Sequence, residues 1–88
     1  MSNNFLSTEL ADSISQALTD EILAMGRYAD IAKGIKDPDL RTLFYSIIGD
    51  KYGHARALAL FLTLNGHGPK AQIAQVEEAG EALRSARN

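Results

Sequence analysis

The chain has 88 residues, no cysteine, and a net charge of −2 with acidic and basic side chains mixed along its length. One small domain fits that length, and domains this short lean on disulfides, metal, oligomerisation or very regular helix packing for stability. The missing cysteine removes disulfides, thiolate metal sites and thiol catalysis, while the mixed charge leaves no nucleic-acid footprint and no polybasic membrane anchor.

In chain order, Met1-Ser2-Asn3-Asn4-Phe5-Leu6 lacks the basic-then-apolar pattern of a signal peptide, so a cytoplasmic protein is expected. A first helix is expected over about 8–33. It starts near Ser7 or Thr8, neither of which completes a capping box, and Gly34 is a natural C-terminal stop. Asp37 is a good N-cap, with Pro38 at the first position of a second helix over about 38–64. Asn65-Gly66-His67-Gly68-Pro69 then ends that helix. A weaker third helix is expected over about 70–86, because Ile73, Val76 and Leu83 are sparse and Gly80 interrupts them. The longest apolar run, Ala57 to Leu62, is far too short to span a bilayer. No strand, repeat or low-complexity segment stands out. The expected class is therefore all-α: one domain over 1–88, an antiparallel helical hairpin with a short C-terminal helix.

Periodicity carries the strongest signal. On helix 1 a heptad-like seam reads Ile14, Leu18, Glu21, Met25, Tyr28, Ala32, Ile35; on helix 2 it reads Leu40, Phe44, Ile47, Lys51, His54, Leu58, Phe61. Each helix is about 39 Å long at 1.5 Å per residue. Joined by a short loop, the two run antiparallel, so the polar midpoints of the seams meet at one height. Charged groups and an imidazole on an apolar seam are costly unless they pair or bind something. Glu21, Tyr28, Lys51 and His54 are therefore the candidate functional residues.

The apolar surface exceeds what one hairpin buries. Leu43, Ile48, Leu60, Leu62 and Leu64 on helix 2, with Leu10, Ile22 and Ile31 on helix 1, lie outside the seams. Two hairpins paired as a four-helix bundle would cover this surface, so a homodimer or a higher homo-oligomer is expected. Gly26, Gly49 and Gly53 fall inside helices, each costing about 1 kcal/mol against alanine. Close helix approach or space beside a bound group would offset that cost; tolerated surface glycine is the plain alternative.

Helix 1 reads Glu21-Ile-Leu-Ala-Met-Gly-Arg-Tyr28, and helix 2 reads Phe44-Tyr-Ser-Ile-Ile-Gly-Asp50-Lys51-Tyr-Gly-His54-Ala55. Together with the link Lys36-Asp37-Pro38-Asp39-Leu40, this resembles the rubrerythrin and ferritin-like pattern over roughly residues 8 to 62. In that pattern a helix-1 glutamate and a tyrosine precede Glu-x-x-His-Ala on helix 2. In size and layout the chain is most similar to the encapsulated-ferritin type, where a dimer of two-helix chains completes the four-helix bundle. The resemblance implies iron or a related divalent metal at a dimer interface, with ferroxidase or peroxidase-type activity. It places Glu21 and His54 as ligands and Tyr28 beside them in a hydrogen-bonding or radical-quenching role. Carboxylate oxygen with imidazole suits iron. The second glutamate of the pattern is absent: Lys51 stands there, and a protonated lysine repels a cation. Asp50 is the remaining carboxylate, shorter and turned about 100° around the helix from position 51.

Two readings stay open. Glu21 and His54, with Asp50, hold a metal; or Glu21 forms an ion pair with Lys51, within one chain or across a dimer, and the bundle is a metal-free scaffold or partner-binding module. His54 is then a core histidine bonded to Glu21, Tyr28 or Asp50, and Tyr28 an ordinary core aromatic. His67 is expected to be solvated, and Tyr45 and Tyr52 to pack. The acid-rich stretch Glu77 to Glu81 reads as a solvated face. A cargo role inside a protein shell would need a terminal targeting peptide, which Glu81-Ala-Leu-Arg-Ser-Ala-Arg-Asn88 does not resemble. A chance resemblance in an unrelated helical interaction protein would leave Glu21 and His54 far apart.

Overall fold

A computed structural model describes residues 6–68 and 70–87, with the side chains at 70, 71, 86 and 87 excepted. Three helices follow in order: α1 over Thr8–Gly34, α2 over Pro38–Leu64 and α3 over Lys70–Arg87. The described residues contain no strand. Pro69, expected at the boundary before α3, lies outside the described residues, as do Met1 to Phe5.

Local chemistry sets the ends. Ser7 is the N-cap of α1, its hydroxyl oxygen accepting from the Leu10 N–H at 3.1 Å. Asp37 caps α2 by accepting from Asp39 N–H at 2.8 Å and Leu40 N–H at 3.1 Å, with Pro38 contributing no orphan donor. Gly34 is the last residue of α1, and the chain leaves through Ile35 in an extended conformation. Arg41 pins that exit, donating through Nε and Nη2 to the Ile35 carbonyl at 2.9 and 2.8 Å. At the far end of α2, Gly66 takes φ 80°. His67 N–H bonds the Leu62 carbonyl at 2.8 Å, and Gly66 N–H bonds the Thr63 carbonyl at 3.1 Å. That is a Schellman end, which needs the left-handed residue that glycine supplies. The same reversal folds His67 back over the helix end. The ring, expected to be solvated, is half-buried with Nε2 out of solvent.

The hairpin buries one side of each long helix. In α1 the buried residues are Ala11, Leu18, Met25 and Ala32, one heptad apart; in α2 they are Ile48, Ala55, Ala59 and Leu62. α3 lies over that side, bringing Ile73, Val76, Ala79 and Leu83 to the core, where Tyr45 and Tyr52 also pack. Gln72 anchors it, donating to the Ser15 carbonyl at 3.3 Å and to the Thr19 hydroxyl.

The expected seam on helix 2 is therefore not the core of the single chain. Leu40, Ile47, His54 and Phe61 are exposed, and the neighbouring stripe with its two alanines is buried instead. Ala55 and Ala59 are small enough to be buried there, in the core that α3 packs on. The opposite side of the hairpin is left open. It carries Leu10 and Ile31 from α1 with Leu40, Leu43, Ile47 and Phe61 from α2, all large and exposed.

Candidate functional site

Three of the residues singled out above meet in the middle of that open side. Glu21 is the central residue of α1 and Lys51 of α2, each helix being 27 residues long. The short link makes the helices antiparallel, so the two midpoints face one another. Lys51 Nζ lies 3.2 Å from Glu21 Oε1, and His54 Nδ1 lies 3.5 Å from Glu21 Oε2. His54 reaches the same carboxylate because it stands three residues after Lys51, nearly one turn along the same face.

The cluster is partly wet: 21% of the Glu21 side chain is exposed, 31% of Lys51 and 61% of His54. Glu21 Oε1 is itself shielded from solvent and has no aligned hydrogen-bond donor, so its contact with Lys51 is ionic. An ion pair this exposed contributes about 1 kcal/mol or less to folding. It is better understood as the way the chain tolerates a carboxylate on an apolar face.

The other candidates lie apart. Tyr28 is half-buried and packs on Phe44, with ring centroids 6.2 Å apart and planes at 52°. Asp50 is exposed and takes no part in the Glu21 contacts, as its rotation around α2 from Lys51 dictates. Among the described residues, no group of three histidine, aspartate or glutamate side chains is placed to hold a metal ion. A metal would have Glu21 and His54 as its donors in one chain, with an ammonium against the same carboxylate.

Sequence reasoning missed Arg41 and Gly80. Arg41 fixes the link that sets the relative height of Glu21 and Lys51, and its three-residue distance from Pro38 gave no signal. Gly80 was read as an interruption of α3. A Cβ there would sit 2.8 Å from Tyr52 Cε1, so glycine is what lets α3 lie against Tyr52.

No family model matches the sequence, and no curated protein or solved structure matches it either. None of the helices described is long and apolar enough to cross a membrane.

Proposed function

We propose that the chain is a self-associating helical module. Two copies close their open hairpin sides on one another as a four-helix bundle of ferritin-like layout. The bundle centre is a Glu21–Lys51 ion pair with His54 beside it, and the assembly serves as a scaffold or partner-binding module. The observation that carries this reading is the ring of exposed Leu10, Ile31, Leu40, Leu43, Ile47 and Phe61 around a charge-compensated centre. Two helices of about 40 Å, each about 10 Å across, present roughly 800 Å². That equals the share each partner buries in a standard stable interface. Contiguous apolar surface of more than a few hundred Å² marks association sites on soluble proteins.

An iron centre of the ferritin-like kind does not fit the donors present. Each copy offers one carboxylate and one imidazole, and Lys51 Nζ occupies the neighbourhood of the carboxylate at 3.2 Å. Two copies bring two such ammonium groups, and each repels a divalent cation. Without a glutamate at position 51 the chain lacks the usual Glu-x-x-His donor pair, and we assign it no ferroxidase chemistry.

Metal analysis tests the reading directly. Protein produced in iron-replete medium is expected to carry sub-stoichiometric iron and to keep its melting temperature and association state in chelator. Stoichiometric iron, with a stability loss on chelation, would overturn the ion-pair reading in favour of a metal centre built from Glu21 and His54.

A further inference from the structure

We propose that the Glu21–Lys51 pair is completed across the interface: Lys51 of each copy engages Glu21 of the other, so that charge at these two positions selects the partner. This rests on the self-association proposed above. Three features of the hairpin lead to it. Glu21 and Lys51 each have thirteen helical residues on either side in helices of 27. When two open sides overlap along their full length about a two-fold axis, mid-length residues stay level with their own counterparts whether that axis runs across the helices or along them. The two clusters then meet whichever way the second hairpin points.

Each cluster holds one carboxylate and one ammonium on the open side, so the pairing of two clusters presents both signs to both signs. A lysine side chain is long and flexible enough to answer a carboxylate on a facing helix. The pair also keeps an open face: Glu21 Oε1 is covered by its own chain, yet 21% of the Glu21 side chain and 31% of the Lys51 side chain remain exposed. Closing a second copy over the cluster removes the remaining water from Lys51 and Glu21. A carboxylate in that setting needs donors, and the second ammonium supplies them.

Partner choice follows from like-charge repulsion, which discriminates between interfaces more strongly than attraction adds affinity. Glu21→Lys creates a copy with two positive centres, and Lys51→Glu one with two negative centres. Each is expected to associate with itself at least about tenfold more weakly than the parent chain, and an equimolar mixture is expected to form mixed pairs. The experiment mixes one ¹⁵N-labelled variant with the other, unlabelled, in chelator, and reads the pair masses by native mass spectrometry. Circular dichroism checks that each variant is helical.

Mixed pairs well above the statistical half of all dimers support the cross-chain contact. A statistical mixture, with both variants self-associating like the parent chain, would overturn it and leave the dimer itself standing. A parent chain that stays monomeric in the same measurement would overturn the self-association reading beneath it. Should either single variant fail to fold, the double swap Glu21→Lys with Lys51→Glu keeps the pair within one chain. It is expected to pair with itself and to exclude the parent chain; free mixing with the parent would contradict the proposal.

Discussion

With Lys51 Nζ 3.2 Å from Glu21 Oε1 and His54 Nδ1 3.5 Å from Oε2, both oxygens of the Glu21 carboxylate are engaged. Truncating Lys51 to alanine leaves that charge beside apolar neighbours with Oε1 out of water. A loss of about 1–2 kcal/mol is expected in thermal or urea unfolding. Pairing the truncation with Glu21→Gln removes the charge and should recover most of that loss. Equal losses in the single and double variants would show that the pair does not matter to folding. The converse change alters chemistry. Lys51→Glu puts a second carboxylate next to Glu21 and three residues before His54, a donor pair suited to iron. Gain of ferrous-ion binding by calorimetry is the expected outcome, and no gain would remove the ferritin-like frame. Residue types and spacings make Glu21, Lys51 and His54 stand out in the sequence itself, because a charge on an apolar seam is a local anomaly. Their mutual distances were not legible, since they depend on the α1–α2 link that Arg41 pins.

The three helices were legible for the same local reason: Ser7, Asp37-Pro38 and Asn65-Gly66 are residues whose own chemistry ends or begins a helix. Which side of each helix forms the single-chain core was not. Apolar residues on α2 cover an arc wider than one seam, and periodicity cannot choose the half that α3 covers. The choice falls to Ala55 and Ala59, whose small size permits close packing but adds little to a hydropathy pattern. Gly80 shows the same limit, because its role depends on Tyr52 in another helix. Gly80→Ala should gain about 1 kcal/mol of helix propensity and lose it again to the Tyr52 ring. In a Tyr52→Ala background the gain should appear in full. A Gly80→Ala effect that is the same in both backgrounds would contradict the close approach. Gly26 and Gly53 have nothing within 4 Å of an added Cβ. Gly26 opens onto an apolar groove of about 300 Å³ beside Met25, Ala29, Tyr45 and Leu83. Alanine at either position is expected to raise stability by about 0.5–1 kcal/mol, read by urea unfolding.

At the scale of the whole molecule, the single chain has a one-sided core. Among the described residues Leu18 and Leu62 are the largest fully enclosed side chains, and no polar or charged residue is buried with them. α3 closes one side of the hairpin, and six large apolar residues are left in water on the other. A chain this short has a small core of its own, and oligomerisation is one of the ways small domains add stability. The surface that stays open also holds its only cluster of opposed charges joining α1 to α2 among the described residues. Sedimentation equilibrium of the parent chain beside Ile47→Glu and Leu23→Glu reads whether this side closes on a second copy. Ile47 lies on the open side, whereas Leu23 is exposed on another face of α1. Dimers are expected for the parent chain and for Leu23→Glu, and helical monomers for Ile47→Glu. A monomeric parent chain, or an Ile47→Glu variant that dimerises as tightly as the parent, would contradict that closure.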